Sequence, residues 1–421
     1  MAAAFSRTRR RLLLGGGLLT AGALGVWAAR PLLVNPCLAA LPPDLADDPV
    51  VRAAWTGLDP AQVWDCHVHL AGVGDGGSGI TISADMLSPL SPMQYLQRLF
   101  YLNAGCAHDA PGRVDQSYVE RLHNLMDGMR PGAKLMLFAF AHAHDDQGRP
   151  RPEASAFHVP NAYARQVAAE WPHLFEWVCS IHPYQPDCVE ALEAAVAGGA
   201  RAVKWLPPAM GIDPADPKCD RFYAALARLD LPLITHAGEE KAVHGIGESA
   251  WGNPLRLRRA LDAGVRVVMA HCASVGEDVD LDAGADGPVV PSFELFARLM
   301  DSRDYREHLF ADISAITLRN RDLAVVRRIV ETQDWHERLL NGSDYPLPGI
   351  LPLISPAALA DAGMLAAEVA PVLETVREHN PILFDFVLKR HLKSDGVTLP
   401  AGVFETRRFF DTPQAPGRAA A

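Results

Sequence analysis

Short apolar runs alternate with longer amphipathic segments along most of this chain, and this alternation limits the fold more than any other feature. An apolar run that precedes a helical pattern is typical of a buried strand in a parallel sheet. We count eight such runs, at residues 63–67, 134–141, 175–182, 202–206, 233–237, 265–271, 309–314 and 339–344. Eight strand–helix units in 421 residues predict an α/β fold, a (β/α)8 TIM barrel.

The segments between these runs carry helix signals and long insertions. Residues 187–198 predict a helix that begins at an aspartate cap and ends at a glycine. Residues 71–130 are long enough to add helices over the barrel mouth. Residues 274–290 lack the spacing of a calcium loop and predict a solvated acidic loop. The tail after Ser394 is expected to wrap the surface.

Polar residues stand at the carboxyl ends of five predicted strands, which is where such a barrel builds its active site. The first strand supplies His67 and His69, the fourth Lys204, the fifth His236, the sixth His271 and the eighth Asp344. Residues two apart in a strand point to the same side, so His67 and His69 are placed to converge on one ion. Their position at successive strand ends makes these residues a candidate site, which the His-Val-His triplet alone would not.

The residue types fit a catalytic metal ion. Imidazoles and carboxylates are ligands of divalent zinc, and we expect His67, His69, His236 and Asp344 to bind the ion and leave a position for water. Such an ion lowers the pKa of its water from about 15.7 toward roughly 7. We expect Asp344 to take the remaining proton and His271 to hydrogen-bond the water or the attacked oxygen. Asp344 and His271 are therefore the candidate catalytic residues.

The sequence around these residues contains recognisable motifs. They are DCHVHL at 65–70, the block at 199–238, NGSDYP at 341–346 and the segment at 377–390. Over about residues 63–392 the chain resembles the amidohydrolase superfamily, above all the branch that includes aminocarboxymuconate-semialdehyde decarboxylase, aromatic-acid decarboxylases and lactonases. The resemblance implies the barrel fold and assigns metal binding to His67, His69, His236 and Asp344, with a catalytic His271.

Lys204 has two readings in the light of this resemblance. In binuclear relatives a fourth-strand lysine is carbamylated and bridges two metal ions. A plain lysine would instead bring a positive charge near one ion or pair with a substrate carboxylate. We expect one divalent ion, Zn²⁺ with Mn²⁺ as the alternative, and two ions if Lys204 is carbamylated.

Further residues near the predicted strand ends are candidates for substrate contact. They are His182, Glu239, His244, Trp205 and Tyr345. Core packing is an equal alternative for Trp205 and Tyr345. His142 and His144 could contact substrate, but a surface role is the better reading for both. Asp312 is either a partner of a site residue or a loop cap.

The first 42 residues are interpreted as a targeting segment. A basic segment is followed by an uncharged stretch from 12 to 29 rich in Gly, Ala and Leu, which predicts an export signal. Residues 8–13 resemble the twin-arginine signal of exported bacterial proteins. The stretch is also about long enough to span a bilayer, so cleavage and retention as an anchor both stay open. We expect a signal peptide or membrane anchor at 1–42, an amidohydrolase-type barrel with a C-terminal extension at 43–421, and a periplasmic location or one on the outer face of the inner membrane.

Charge and cysteine content restrict the partners. The formal net charge of −11 at pH 7 argues against nucleic acid, because an acidic body repels phosphate backbones. A small-molecule substrate is expected, the membrane is expected to contact only the N-terminal segment, and a homodimer stays open. The seven cysteines form no CxxC pair, so neither a zinc ribbon nor a disulfide scaffold is indicated. Cys179 and Cys188 are the candidate pair in an oxidising compartment.

The functional hypothesis is hydrolysis of a carbonyl substrate, such as a lactone, ester or cyclic amide, by metal-activated water. The same ligands serve non-oxidative decarboxylation, which is the alternative. A non-catalytic, membrane-anchored binding barrel is a third reading. It predicts a broken site, whereas every ligand position of this chain is filled.

Overall fold

The computed structural model describes residues 33–107, 111–240, 243 and 245–411. Eight parallel strands form its centre: β1 Trp64–His69, β2 Lys134–Phe138, β3 Phe175–Val178, β4 Val203–Trp205, β5 Leu233–Thr235, β6 Val267–Met269, β7 Leu309–Asp312 and β8 Leu339–Leu340. Each strand overlaps one predicted run. Most are shorter than predicted. His236, His271 and Asp344, for example, lie just beyond the strands that position them.

The strands close into a ring. They pair in chain order in two groups, β1 to β3 and β4 to β8. A parallel bridge between Cys179 and Val203 joins β3 to β4, and another between Val68 and Tyr345 joins the segment after β8 to β1. The predicted TIM barrel is therefore confirmed.

Helices follow the strands on the outside of the barrel. They are α1 Val114–Asp127, α2 Asn161–Glu170, α3 Cys188–Ala197, α4 Asp220–Leu229, α5 Arg258–Asp262, α6 Ser292–Asp301, α7 Leu323–Glu331, α8 Val369–His379 and α9 Pro381–His391. The helix predicted at 187–198 is confirmed as α3. Asp187 occupies its N-cap position, but no side-chain hydrogen bond caps this helix. A capping carboxylate does occur at α7, where Asp322 accepts the Ala324 N–H at 2.8 Å.

The barrel interior is sealed by the C-terminal tail. Residues of β1, β2, β3, β5, β6 and β8, with Ala202 just before β4, form a buried apolar cluster against which Phe310 of β7 packs: Trp64, Cys66, Met136, Phe138, Val178, Ala202, Ile234, Val268 and Leu340. Phe409 and Phe410, from the short helix Arg407–Phe410, belong to the same cluster and reach it beside Trp64, at the amino ends of the strands. The prediction that the tail wraps the surface is wrong, because these two rings bury their apolar area in the open lower end of the barrel.

Insertions cover the opposite end, the mouth. Helices Ala84–Leu87 and Pro92–Ala104 confirm the predicted addition, and we call residues 84–104 the cap. The segment predicted as a solvated loop at 274–290 is instead built on a hairpin, with Glu277–Val279 antiparallel to Val289–Pro291. The remaining short α-helices are Pro43–Ala46, Pro49–Ala54, Pro207–Met210, Pro356–Asp361 and Ala401–Phe404.

The N-terminal part of the described chain is fastened to the cap. A disulfide joins Cys37 to Cys106, just past the end of the cap. The suggested pairing of Cys179 with Cys188 is wrong, because both are buried free thiols. Residues 1–32 of the predicted export segment lie outside the described residues. In the part of the chain that the structure describes, no helix has the length and apolar character needed to cross a bilayer.

Candidate active site

A bulge in β1 sets the direction of the first site residue. One extra residue of β1 lies opposite β2 between Asp65 and Val68, where the register shifts. Both Cys66 and His67 consequently face the barrel interior. The Asp65 carboxylate holds this shape by accepting the backbone N–H groups of His67 at 3.1 Å and Ser343 at 2.8 Å.

Three predicted ligands converge at the bottom of the mouth. Asp344 Oδ1 lies 3.0 Å from His69 Nε2 and 3.4 Å from His67 Nε2. The ligand atoms of these three residues all lie within 4.8 Å of one another, as do those of a second group formed by His67, His271 and Asp312. The first group is the open one, because the His69 side chain is 21 % exposed. Two imidazoles and a carboxylate form a donor set that suits a divalent metal.

Asp312 orients the imidazoles on which this set depends. Its Oδ2 accepts the His67 Nδ1–H at 2.9 Å, and its Oδ1 accepts the backbone N–H groups of His271 and Ser314, each at 3.0 Å. His271 Nδ1–H donates to the Ser314 carbonyl at 3.1 Å. Both rings thus carry their proton on Nδ1 and turn an unprotonated Nε2 toward Asp344. A metal-binding histidine needs this arrangement, so the residues present fit a metal ion.

Burial and charge shift the pKa values of the cluster. Burial, with the nearby Lys204 charge, lowers the pKa of His67 to about 4. Burial also lowers the pKa of His271 well below its usual value. Burial opposes ionisation of Asp344, but His271 and His67 hold the pKa of this carboxyl well below its usual value. The site therefore combines neutral imidazoles with an ionised carboxylate.

Lys204 enters the same cluster from β4. Its side chain is buried, with Nζ 3.1 Å from His67 Nε2 and 5.0 Å from the centre of the Phe138 ring. Burial lowers its pKa. This position beside His67 is compatible with both predicted roles, and the choice between a bridging carbamate and a plain amine stays a prediction.

His236 faces the pocket but stands apart from the ligand cluster. Its Nε2–H donates to the Glu239 carbonyl at 3.2 Å, and its Nδ1 lies 3.5 Å from Glu240 Oε2. Its ring centre is 5.4 Å from that of His271. Among the described residues, no group of mutually close ligand atoms includes His236. Its role as a metal ligand stays a prediction.

The residues expected to contact substrate divide sharply. Glu239 lines the pocket, and His244 lies outside the described residues. His182, Trp205 and Tyr345 do not line it, since all three are fully buried elsewhere. His182 Nε2–H donates to the Met210 carbonyl at 3.0 Å, and Trp205 Nε1–H to the Ile181 carbonyl at 2.8 Å. These side chains serve core packing.

His144 also differs from the sequence interpretation. Instead of lying on the surface, it is buried with its ring stacked on His182, with 4.2 Å between the ring centres. The surface reading of the His142-Ala143-His144 segment is therefore wrong for His144. The cause is the stack, which packs the loop after β2 against the end of β3.

The pocket contains two cations that sequence reasoning did not identify. It encloses about 1240 Å³, including space open to solvent, and its lining includes Arg98 from the cap and Arg321 from the loop after β7. The Arg321 Nε is buried without a hydrogen-bond partner among the described residues. Neither arginine follows a strand end directly, so no local motif marks it in the sequence.

Comparisons with solved structures return barrels of several activities. The chain is similar to an uncharacterised TIM-barrel protein from Bordetella bronchiseptica, with 16% identity, 77% of this chain and 95% of that chain covered, and a TM-score of 0.44. It is similar to a probable 2-pyrone-4,6-dicarboxylic acid hydrolase from Acinetobacter baumannii (14%, 80% and 97%, 0.40). It is also similar to the 5-carboxyvanillate decarboxylase from Sphingomonas paucimobilis (14%, 83% and 98%, 0.42).

Comparison with known sequences identifies the family. A search of curated proteins found no significant match. The amidohydrolase family profile, in contrast, matches residues 64–374, from the start of β1 into α8, and so includes all eight strands. With that match and a His/His/Asp group suited to a divalent metal, the chain belongs to the amidohydrolase family and is an enzyme.

Proposed function

We propose that this enzyme hydrolyses a carbonyl compound, such as a lactone, ester or cyclic amide, with the aid of a divalent metal. The observation that carries the proposal is the convergence of His67, His69 and Asp344 at the bottom of a pocket that His271 also lines. Zn²⁺ is the ion we favour and Mn²⁺ the alternative. One ion is expected, or two if Lys204 is carbamylated.

The chain's own residues divide the work. His67, His69 and Asp344 would hold the ion, joined by His236 after its ring turns away from the Glu239 carbonyl. A divalent ion bound there supplies a lowered pKa of water, from about 15.7 to roughly 7. Asp344 accepts a proton from the attacking water and passes it to the oxygen or nitrogen that leaves when the acyl bond breaks. His271 Nε2, unprotonated and 3.9 Å from Asp344 Oδ2, accepts a hydrogen bond and orients the water lone pair toward the carbonyl carbon.

Metal content and activity together test this proposal. The purified enzyme should contain near-stoichiometric zinc or manganese, and His67→Ala and Asp344→Asn should lose both the metal and the hydrolysis of a lactone and ester panel. The matched control is His173→Ala, an exposed histidine far from the cluster, which should retain both. Equal metal in wild type and both site variants would refute the assignment.

Non-oxidative decarboxylation is the second candidate, and one observation favours it. Arg98 and Arg321 line the pocket, so a substrate carboxylate would find positive charge there. The two reactions differ in what they release. A panel of aromatic and unsaturated acids would yield carbon dioxide under decarboxylation, whereas a hydrolysed ester or lactone consumes alkali at constant pH.

We also propose that the enzyme is exported. The basic and apolar N-terminal sequence supports this, and so does the Cys37–Cys106 disulfide, because disulfides persist in oxidising compartments. Replacing Arg9 and Arg10 by lysine should retain the protein in the cytoplasm, as fractionation would show. Unchanged location in that variant would exclude the twin-arginine route.

A further inference from the structure

The cap exposes large apolar side chains at a regular spacing in the sequence. Every third residue from 87 to 99 is one of them: Leu87 is 54% exposed, Leu90 93%, Met93 76%, Leu96 49% and Leu99 37%. The other large apolar side chains described as exposed stand elsewhere in the chain. We call these five residues the cap patch. Exposed large apolar side chains concentrated in one short segment mark a candidate contact with an apolar partner.

The cap patch lies directly over the mouth of the active site. Met86, Arg98, Tyr101 and Leu102, on the same two helices, line the pocket. Helix Pro92–Ala104 buries only Leu102 and Ala104 completely. The cap is therefore one helix thick, with the pocket on one side and the patch on the other.

The cap is also electrically neutral, in contrast to the chain as a whole. Its 84–104 sequence contains one acid, Asp85, and one base, Arg98, whereas the chain carries a net charge of −11. A partner that recognises charge would find little to bind. Burial of apolar side chains is the contribution that this surface offers.

The chain's own N-terminus enters the described structure beside this surface. The Asn35 N–H donates to Asn103 Oδ1 at 2.9 Å and its Nδ2 to the Gly349 carbonyl at 3.2 Å, and the disulfide follows at Cys37. The uncharged stretch 12–29 would measure about 27 Å as a helix, close to the thickness of the hydrocarbon core of a bilayer. From residue 29 to Leu33 the chain can reach at most about 14 Å.

We propose that the cap patch rests on the bilayer surface, with the N-terminal segment retained as the anchor and the pocket mouth turned toward the membrane. This rests on the proposed export but not on the reaction that the site performs. Leu87, Leu90, Met93, Leu96 and Leu99 enter the interface, where apolar side chains are buried about 5–10 Å deep. Because the cap is neutral, this contact is insensitive to added salt.

Tryptophan quenching by brominated lipid tests this orientation. The full-length exported protein is reconstituted in phosphatidylcholine vesicles whose acyl chains carry bromine, which quenches tryptophan on contact. Met93→Trp adds a reporter in the cap patch. The matched control is Lys393→Trp, in the hairpin 393–398, which contacts Glu331 at the end of α7, on the side of the barrel away from the mouth.

The expected result is that the added fluorescence of Met93→Trp, taken relative to the parent, is at least halved by brominated lipid at low and high salt, while that of Lys393→Trp is unchanged. Vesicle-bound protein without quenching at position 93 would overturn the proposal, as would equal quenching at both positions or failure to float with the vesicles. A soluble dimer that dissociates on Leu90→Ser with Met93→Ser would also overturn it, because a second copy would then cover the patch.

Discussion

Replacing Asp312 by asparagine tests how the orientation of His67 affects metal binding, because it leaves all three expected ligands in place. Asp312 Oδ1 accepts the backbone N–H groups of His271 and Ser314 at 3.0 Å each and also the Ser314 hydroxyl, while Oδ2 accepts only His67 Nδ1–H at 2.9 Å. If the single side-chain oxygen of asparagine takes the Oδ1 position, it keeps the hydrogen bonds from His271 and Ser314. The amide N–H of the asparagine then points at His67 Nδ1, so Nδ1 must accept a hydrogen bond instead of donating one.

The proton of His67 consequently moves to Nε2. That atom faces Asp344 Oδ1 at 3.4 Å, so an N–H replaces the lone pair on which metal binding depends. Loss of such an orienting partner weakens metal affinity by about 10- to 100-fold, or about 1.4 to 2.7 kcal/mol. We expect Asp312→Asn to weaken binding by this amount with all three ligands still present.

Competition with a chelator of known affinity measures this change, with thermal unfolding as the check on folding. The control is Glu176→Gln, which converts a carboxylate of β3 that pairs with Lys134 and Arg201 and should leave metal affinity unchanged. If folded Asp312→Asn holds the ion as tightly as wild type, Asp312 does not set the His67 tautomer.

Three further predictions concern stability. Phe410→Ala should lower the free energy of unfolding in urea by about 3–5 kcal/mol, because Phe410 is 3% exposed in the barrel interior; a change near zero would contradict the sealing role of the tail. Replacing Cys37 and Cys106 by alanine should cost about 2–4 kcal/mol, since their disulfide closes a loop with a sequence separation of 69; equal unfolding with and without reductant in wild type would argue otherwise. Burial lowers the pKa of His142 to about 4 and that of its stacked neighbour His158 as well, so the folded chain binds fewer protons than the unfolded one and stability falls as pH drops through 6.5. His158→Phe should therefore flatten the fall in Tm between pH 7 and pH 5, and an unaltered slope would exclude this pair as its cause.

The strands and the ends that carry the site could be predicted because both follow from hydrophobic periodicity. Residues next to the site residues were wrongly predicted to contact substrate, because periodicity alone was used and the two faces of each strand were not distinguished. Successive side chains of a strand alternate between its faces, so Trp205 packs outward against Phe222 while Lys204 points into the barrel. Tyr345, next to Asp344, is also buried in the core, but it lies beyond β8, where alternation does not apply. Applying alternation would have removed Trp205 alone.

Other features depend on contacts that no local pattern encodes. The β1 bulge is a property of how two strands pair, and its stabilising partner Ser343 is far from Asp65 in sequence. Arg321 reaches the pocket only because the loop after β7 folds over the mouth. The Cys37–Cys106 pairing likewise follows from where the cap packs. Each of these required the three-dimensional arrangement.

Because Phe409 and Phe410 seal the barrel, its interior is complete only after residue 410 has been synthesised. The proposed N-terminal targeting segment leaves the ribosome before Phe409 and Phe410, which complete the interior. At usual rates of synthesis, roughly 20 to 80 seconds separate the two events. During that interval the barrel has an open lower end. Under the proposed export, a route that accepts only folded cargo would wait for residue 410, so the proposed targeting segment could be used only after the helix Arg407–Phe410 has been made.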